Sequence, residues 1–276
     1  MIRFGVTREH SVAVERLSAL CRAASVACEC EVVPLSFPSY TELAHAIHHG
    51  TTDVVWTPPI AAALWAEQGL VDFIALPVRS GQLTYHTAFI ARRGAGRPLE
   101  KLRGARVAWV DRQSASGYLV PRVHLASLGF DPASFFGEEI FATTHRGVVD
   151  AVVNGLVDVG ATYCHMDASG KKMITAAWTL PDGSSIRPLE IITCAGPIPN
   201  DAVVGTKSLG SFDRSRMLRF LLSPTVDGKA ALRDVFNTAD FRIAKDDHFE
   251  PLRHMVRTAA ARGHDSLVPG GLRFDR

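Results

Sequence analysis

The sequence predicts an α/β protein built as two similar lobes, and three observations carry that expectation. Short apolar, β-rich runs alternate with helical patterns along the chain, as in parallel sheets covered by helices. A pattern of helix, glycine, two residues, then Asp entering a strand occurs twice, about a hundred residues apart. An Arg-led apolar strand followed by a helix precedes each copy at nearly the same offset.

Taken in order, the strands are expected at Ile2–Val6, Glu31–Leu35, Asp53–Trp56, Phe73–Pro77, Ala88–Ala91, Arg106–Val110, Glu139–Phe141, Val157–Ala161 and Ala202–Gly205. The helices fall between and after them, at Ser11–Ala24, Tyr40–His48, Ile60–Gln68, Gly117–Leu128, Arg146–Val153, Asp213–Leu222, Lys229–Val235 and Glu250–Ala261. The echo itself reads Leu43 through His49-Gly50-Thr51-Thr52-Asp53-Val54 in one copy. In the other it reads Val148 through Asn154-Gly155-Leu156-Val157-Asp158-Val159. Glycine suits the left-handed cap that ends each helix. Arg3-Phe4-Gly5-Val6 and Arg106-Val107-Ala108-Trp109-Val110 are the matching upstream strands. Two elements in the same order at one offset assign residues 1–86 and 199–276 to lobe one and 87–198 to lobe two. The chain is expected to cross near Thr84–Thr87 and return near Gly196–Asp201, a two-segment hinge with the ligand cleft between the lobes.

Composition narrows the function. At 276 residues, with 47% apolar and 21% charged residues, the chain can bury sizeable cores. A net charge of +2, without a polybasic arm, argues against nucleic acid as a partner. No apolar run approaches the ~20 residues of a membrane span. Met1 leads directly into a strand-like segment. The expectation is therefore cytoplasmic if the sequence is native as written, or exported if a signal was trimmed. The five cysteines, Cys21, Cys28, Cys30, Cys164 and Cys194, lack the spacing of a metal site and read as free thiols.

The chemistry concentrates in Asp111-Arg112-Gln113-Ser114-Ala115-Ser116-Gly117-Tyr118-Leu119-Val120-Pro121, between a strand and a helix. A serine cap here would leave the first helical amides pointing outward beside two hydroxyls, which is an anion site. A plain serine N-cap explains the same residues. Ser116 does not complete a G-x-S-x-G nucleophile elbow.

These residues resemble the phosphate/phosphite/phosphonate-binding subunits of ABC transporters, in the type II periplasmic-binding-protein superfamily. The likeness runs over about residues 2–222. Its motifs are Asp111 with Ser114-x-Ser116-Gly117-Tyr118-x-x-Pro121, Gly129-Phe130-Asp131-Pro132, Thr144-His145, and Asn154-Gly155-x-x-Asp158-x-Gly160-Ala161. Gly50-x-x-Asp53-Val54-x-Trp56-x-x-Pro59, Thr84-Tyr85 and Pro197-Ile198-Pro199-Asn200-Asp201 complete it. The resemblance implies a two-lobed α/β fold, with two mixed sheets flanked by helices, closing on a small phosphorus oxyanion. Ser114, Ser116 and the amides of Ala115 to Gly117 would hold the oxyanion, with Tyr40 and Tyr85 covering it. His145 would donate to an oxyanion oxygen, and Asp201 would accept from a protonated oxygen or a ligand ammonium. Trp56 ends a strand toward the crevice, or is a core tryptophan. On the residues alone, Tyr40 and Tyr85 also read as surface or hinge positions, His145 as a loop residue and Asp201 as turn chemistry.

The chain departs from the family in two places. Ala115 stands where many relatives have Thr, and His165 stands where relatives that bind aminoalkylphosphonates can carry a carboxylate. A small oxyanion without an amine is therefore favoured, with Asp167 as the carboxylate that would otherwise reach the site. No cofactor or metal is implied. The expected partners are the ligand and an ABC permease, and the protein is expected to be a periplasmic monomer. The alternatives are a cytosolic ligand sensor of the same fold, whose partner is a signalling protein, and an enzyme on this fold. The tail from Asp246 to Arg276 is expected to dock a helix on lobe one.

Overall fold

The computed structural model describes residues 1–7, 13–95, 97–112, 114–167, 169–170, 172–180, 184 and 189–264. The chain groups into two compact units, one of Met1–Leu83 and Pro199–Glu250, the other of Thr84–Ile198 and, among the described residues of the tail, 251–264. The first segment runs β1 (Ile2–Thr7), α1 (Val14–Cys28), β2 (Val32–Phe37), α2 (Tyr40–His48), β3 (Val54–Thr57), α3 (Pro59–Glu67) and β4 (Val71–Pro77). The middle segment runs β5 (Thr84–Arg92), β6 (Arg106–Trp109), α4 (Val120–Ser127), β7 (Glu138–Phe141), α5 (His145–Val153), β8 (Val159–Met166), β9 (Met173–Ala176) and β10 (Leu189–Pro199). The chain ends with β11 (Ala202–Thr206), α6 (Ser211–Leu222), α7 (Val226–Phe236), β12 (Phe241–Ile243) and α8 (Glu250–Ala261).

Each unit is built on one mixed sheet. The first has the order β12-β4-β11-β3-β1-β2, and the second β10-β5-β8-β6-β7 with β9 added beside β8. In the first, β1 lies parallel to β2 and β3, and β11 runs antiparallel beside β3. In the second, β6 lies parallel to β7 and β8, and β5 runs antiparallel beside β8. The four-strand frame is the same in both.

One contact explains the shared register. The Arg3 guanidinium grips both oxygens of Asp53 at 2.8 and 2.7 Å, the Arg3 amide donates to the same carboxylate at 2.8 Å, and Nη2 reaches the Gly50 carbonyl at 2.8 Å. Arg106 repeats every one of these bonds with Asp158 and the Gly155 carbonyl, at 2.9–3.4 Å. Gly50 and Gly155 both take a left-handed turn, at φ 65° and 74°, which other side chains rarely adopt. The residue after each arginine then pairs with the residue after each aspartate, Phe4 with Val54 and Val107 with Val159.

Strand alternation sorts the cores. On β6, Val107 and Trp109 face Leu125, Phe135 and Phe136, whereas Ala108, with Val110 just past the strand, faces Val148, Val149 and Val152 of α5. In the first unit Phe4, Val54 and Trp56 pack with Leu17, Leu20, Leu232 and Phe236. The five cysteines are free; burial pushes the Cys21 thiol up to about 12 and Cys28 up to about 11.

The structure corrects several expectations. β9, β10 and β12 were not anticipated: β10 carries Gly196, Pro197 and Pro199, which read as a breaker, and β12 has three residues. The start of the first expected helix, at Ser11, lies outside the described residues, as do 265–276 of the tail. The tail helix α8 groups with the second unit, not with lobe one. Its buried Leu252, Val256 and Ala259 form a stripe that fits any apolar face, and the Arg262 that follows lies against Gly129, where a β-carbon would meet its Nη1 at 2.6 Å.

The two clamps differ in exposure: the Asp53 side chain is 8% exposed and that of Asp158 44%. Asp53→Asn is expected to cost about 2–3 kcal/mol in urea denaturation, and Asp158→Asn under about 1 kcal/mol. Burial pushes the Asp53 carboxyl up, but bonds from Arg3 and Ser208 outweigh it and hold the group below its ordinary value. Its contribution is therefore complete above the unfolded value and lost as pH falls through the folded one, so the Asn variant should show a shallower acid decline. Equal costs for the two substitutions would contradict this reading.

Candidate functional site

Because β6, β7 and β8 are parallel, their carboxyl ends share one sheet edge, and the loops leaving them converge there. The loop after β6 is a strap held at several points. The Asp111 carboxylate accepts the Ser114 amide at 2.8 Å, and Ser114 Oγ accepts the Gly117 amide at 3.1 Å. The Gly117 carbonyl accepts from Val110 at 3.2 Å, and Thr87 on β5 donates its hydroxyl to the Ser116 carbonyl at 2.6 Å. A β-carbon at Gly117 would sit 2.3 Å from Val110 Cγ2, so the closure requires glycine.

The helix expected from Gly117 begins instead with a π turn over Ala115–Leu119, in which the Leu119 amide bonds the Ser114 carbonyl at 3.0 Å. Such widened turns recur at functional sites. Among the described residues, the amides of Ala115 and Ser116 meet no acceptor. Ser116 and Gly117 are buried, Ser114 and Ala115 half-buried.

His145 opens α5 after β7, where Thr144 caps the helix by accepting the Gly147 amide at 2.9 Å. Its Nδ1 lies 2.9 Å from Thr162 Oγ1 on β8. Burial lowers the imidazole to about 4, with Asp111 pulling weakly the other way, so the ring is neutral at physiological pH. Its neighbours form a chain of rings. His145 meets Tyr163 edge-on at 4.9 Å, Tyr163 meets His165 at 5.8 Å, and His165 meets Tyr85 at 6.3 Å. Ser114, Ala115, Ser116, Gly117, His145, His165 and Tyr85 thus share one end of the second sheet.

The remaining candidates lie in the first unit. Tyr40 opens α2 just after its Ser39 cap, the position that His145 takes in α5. Trp56 is 5% exposed in the core, its ring 4.7 Å from Phe236, and takes the core role. Alternation on β3 decides it. Asp201, between β10 and β11, accepts two bonds from the Arg79 guanidinium on Oδ2, both at 3.2 Å. Arg79, Thr87, Thr162 and Tyr163 were missed. Thr162 and Tyr163 belong to the strand end that carries His165; Arg79 and Thr87 act through contacts distant in sequence. Among the described residues, no cluster of His, Cys, Asp and Glu could hold a metal ion, and no helix is long and apolar enough to cross a membrane.

The family model for the periplasmic substrate-binding protein of ABC phosphonate transporters matches residues 5–249. The chain belongs to that family. It is a family of binding proteins, not of enzymes, and its members work with a small ligand and a permease. Solved structures share the fold of this substrate-binding protein. XAC2383 from Xanthomonas citri, solved bound to ATP, has a TM-score of 0.72 at 20% identity over 95% of this chain and 98% of that one. PhnD1 from Prochlorococcus marinus, in complex with methylphosphonate, gives 0.64 at 17% identity over 94% and 98%. The periplasmic aliphatic sulphonate binding protein SsuA from Escherichia coli gives 0.53 at 13% over 98% and 94%. The two mixed sheets flanked by helices are the fold these structures share.

The neutral His145 makes a pH prediction. Its folded value near 4 lies below the ordinary 6.5, so the unfolded chain takes up the proton first as pH falls. Stability from this group is complete above about pH 6.5 and declines between 6.5 and about 4. NMR titration should find the ring protonating near pH 4, and His145→Gln should flatten that part of the stability profile. A ring titrating near 6.5 would contradict the burial argument.

Proposed function

We propose that this substrate-binding protein captures a small phosphorus oxyanion without an amine, an alkylphosphonate first and phosphite or phosphate next, for ABC-type uptake. The observation that supports it most is the strap at 114–117. It is fixed from Asp111, Thr87 and Val110, yet among the described residues its Ala115 and Ser116 amides meet no acceptor. Fixed amides at a helix start bind tetrahedral anions without reorganising. In this reading the Ser114 and Ser116 hydroxyls add donors. With Thr162 donating to Nδ1, the proton of neutral His145 sits on Nε2 and is given to an oxyanion oxygen. Tyr40 and Tyr85 donate from their phenols, His165 backs Tyr85, and Asp201 accepts from a protonated oxygen.

The ATP carried by the Xanthomonas citri protein suggests a second reading, in which the same strap takes the terminal phosphate of a nucleotide. A sensor role in place of uptake is distinguished by gene neighbours, permease and ATPase genes or kinase and regulator genes.

Thermal shift and calorimetry with methylphosphonate, phosphite, phosphate, 2-aminoethylphosphonate, ATP and sulfate test the assignment. Methylphosphonate is expected to raise the melting midpoint most, and sulfate to leave it unmoved. Ser116→Ala should weaken methylphosphonate about tenfold, the ~1–2 kcal/mol of a hydrogen bond to an ion, without changing the ligand-free midpoint. No response to any phosphorus oxyanion would overturn the proposal, and a response to ATP alone would promote the second reading.

A further inference from the structure

The carboxylate assigned to the ligand, Asp201, is not a free charge. Its partner Arg79 stands at the start of a two-residue hairpin turn. Ser80 and Gly81 both take left-handed backbone, at φ 50° and 72°, and Arg79 and Gln82 exchange backbone bonds at 3.0 and 2.9 Å. Asn200, 1% exposed and adjacent to Asp201, fastens this turn from beneath. Its side-chain amide donates to the Pro77 and Gln82 carbonyls at 2.8 and 3.0 Å, and its own backbone amide to Leu83 at 2.9 Å. One residue therefore sets the position of both partners, and the guanidinium meets the carboxylate with two nitrogens at 3.2 Å. Both side chains keep some solvent access, 28% for Arg79 and 21% for Asp201, and both guanidinium bonds fall on Oδ2, with Oδ1 outside them.

We propose that Arg79 sets the charge class of the ligand: by holding Asp201 in a neutral ion pair, it selects oxyanions without an amine against ligands that carry an ammonium group. The inference rests on the reading that Asp201 faces the ligand. A lone carboxylate would attract an ammonium and repel a doubly ionised oxyanion. Paired with a guanidinium that never loses its proton, it does neither strongly. It keeps Oδ1 as an acceptor for a ligand hydroxyl. Moving an ammonium out of water is costly where no unpaired anion receives it.

The test uses two ligands of equal length, ethylphosphonate and 2-aminoethylphosphonate, titrated calorimetrically at one pH and ionic strength. The unmodified protein should bind ethylphosphonate at least tenfold more tightly. Arg79→Gln should shrink or reverse that ratio by at least tenfold, and Arg79→Lys, which keeps the charge, should preserve it. Asp201→Asn leaves Arg79 unpaired and should widen the ratio, an opposite displacement that remains readable should Arg79→Gln fail to fold. An unchanged ratio in Arg79→Gln, or in Asp201→Asn where the former does not fold, overturns the inference while leaving oxyanion binding in place. If the unmodified protein binds neither ligand nor any other phosphorus oxyanion, the reading of the site falls with it.

Discussion

The arginine–aspartate clamp is the constraint on which the rest of the molecule depends. In each unit a single carboxylate receives the guanidinium and the backbone amide of the arginine that opens the first strand, and that arginine also reaches the carbonyl of the glycine ending the preceding helix. Two chain segments about fifty residues apart in sequence meet at one point. A strand that slips by one residue turns every side chain to the wrong face, so a fixed point at the strand starts decides which residues enter the core. Phe4 and Val54 are core for the same reason that Val107 and Val159 are.

Because the clamp grips the amino ends of the strands, the carboxyl ends are free to carry chemistry on a frame that does not change. The two frames carry different groups at equivalent places. Tyr40 opens α2 behind a serine cap, and His145 opens α5 behind a threonine cap. On β8, Thr162 holds the His145 ring. Thr57, at the end of β3, is fully buried and has no such imidazole to hold. The strap at 114–117 is likewise a local elaboration on a repeated strand-to-helix connection. Its Gly117 is required by contact with Val110 and not by a turn, since its backbone is helical.

How much of this was legible follows from the range of each interaction. Alternating apolar runs and capping glycines are local, so the central strands and most helices could be read directly. Both halves of the clamp were visible as separate patterns, an Arg-led strand and Gly-x-x-Asp. What joined them is a contact spanning about fifty residues, which no local period reveals. β10 was hidden because Gly196, Pro197 and Pro199 are breakers by propensity, overridden here by the sheet. The strap was found because serine caps and small residues before a helix have a local mechanism. Thr87 and Arg79 had none, because each matters only through a partner, the Ser116 carbonyl or Asp201, brought close by the fold.

The groups gathered at the second sheet's edge bear on how an anion is held at all. The imidazole in this cluster is held neutral by burial. Under the function proposed above, attraction comes from oriented dipoles: backbone amides at a helix start, hydroxyls and a neutral imidazole. Dipoles act over short range and only in fixed directions, so they reward a tetrahedral guest of the right size and give little to an anion that does not fit. The immobilisation of the strap by Asp111, Thr87 and Val110 is what makes such dipoles effective, because the cost of ordering them is met in folding and not in binding. A cationic site would hold many anions tightly. A rigid neutral one can choose among them and still release the one it chose.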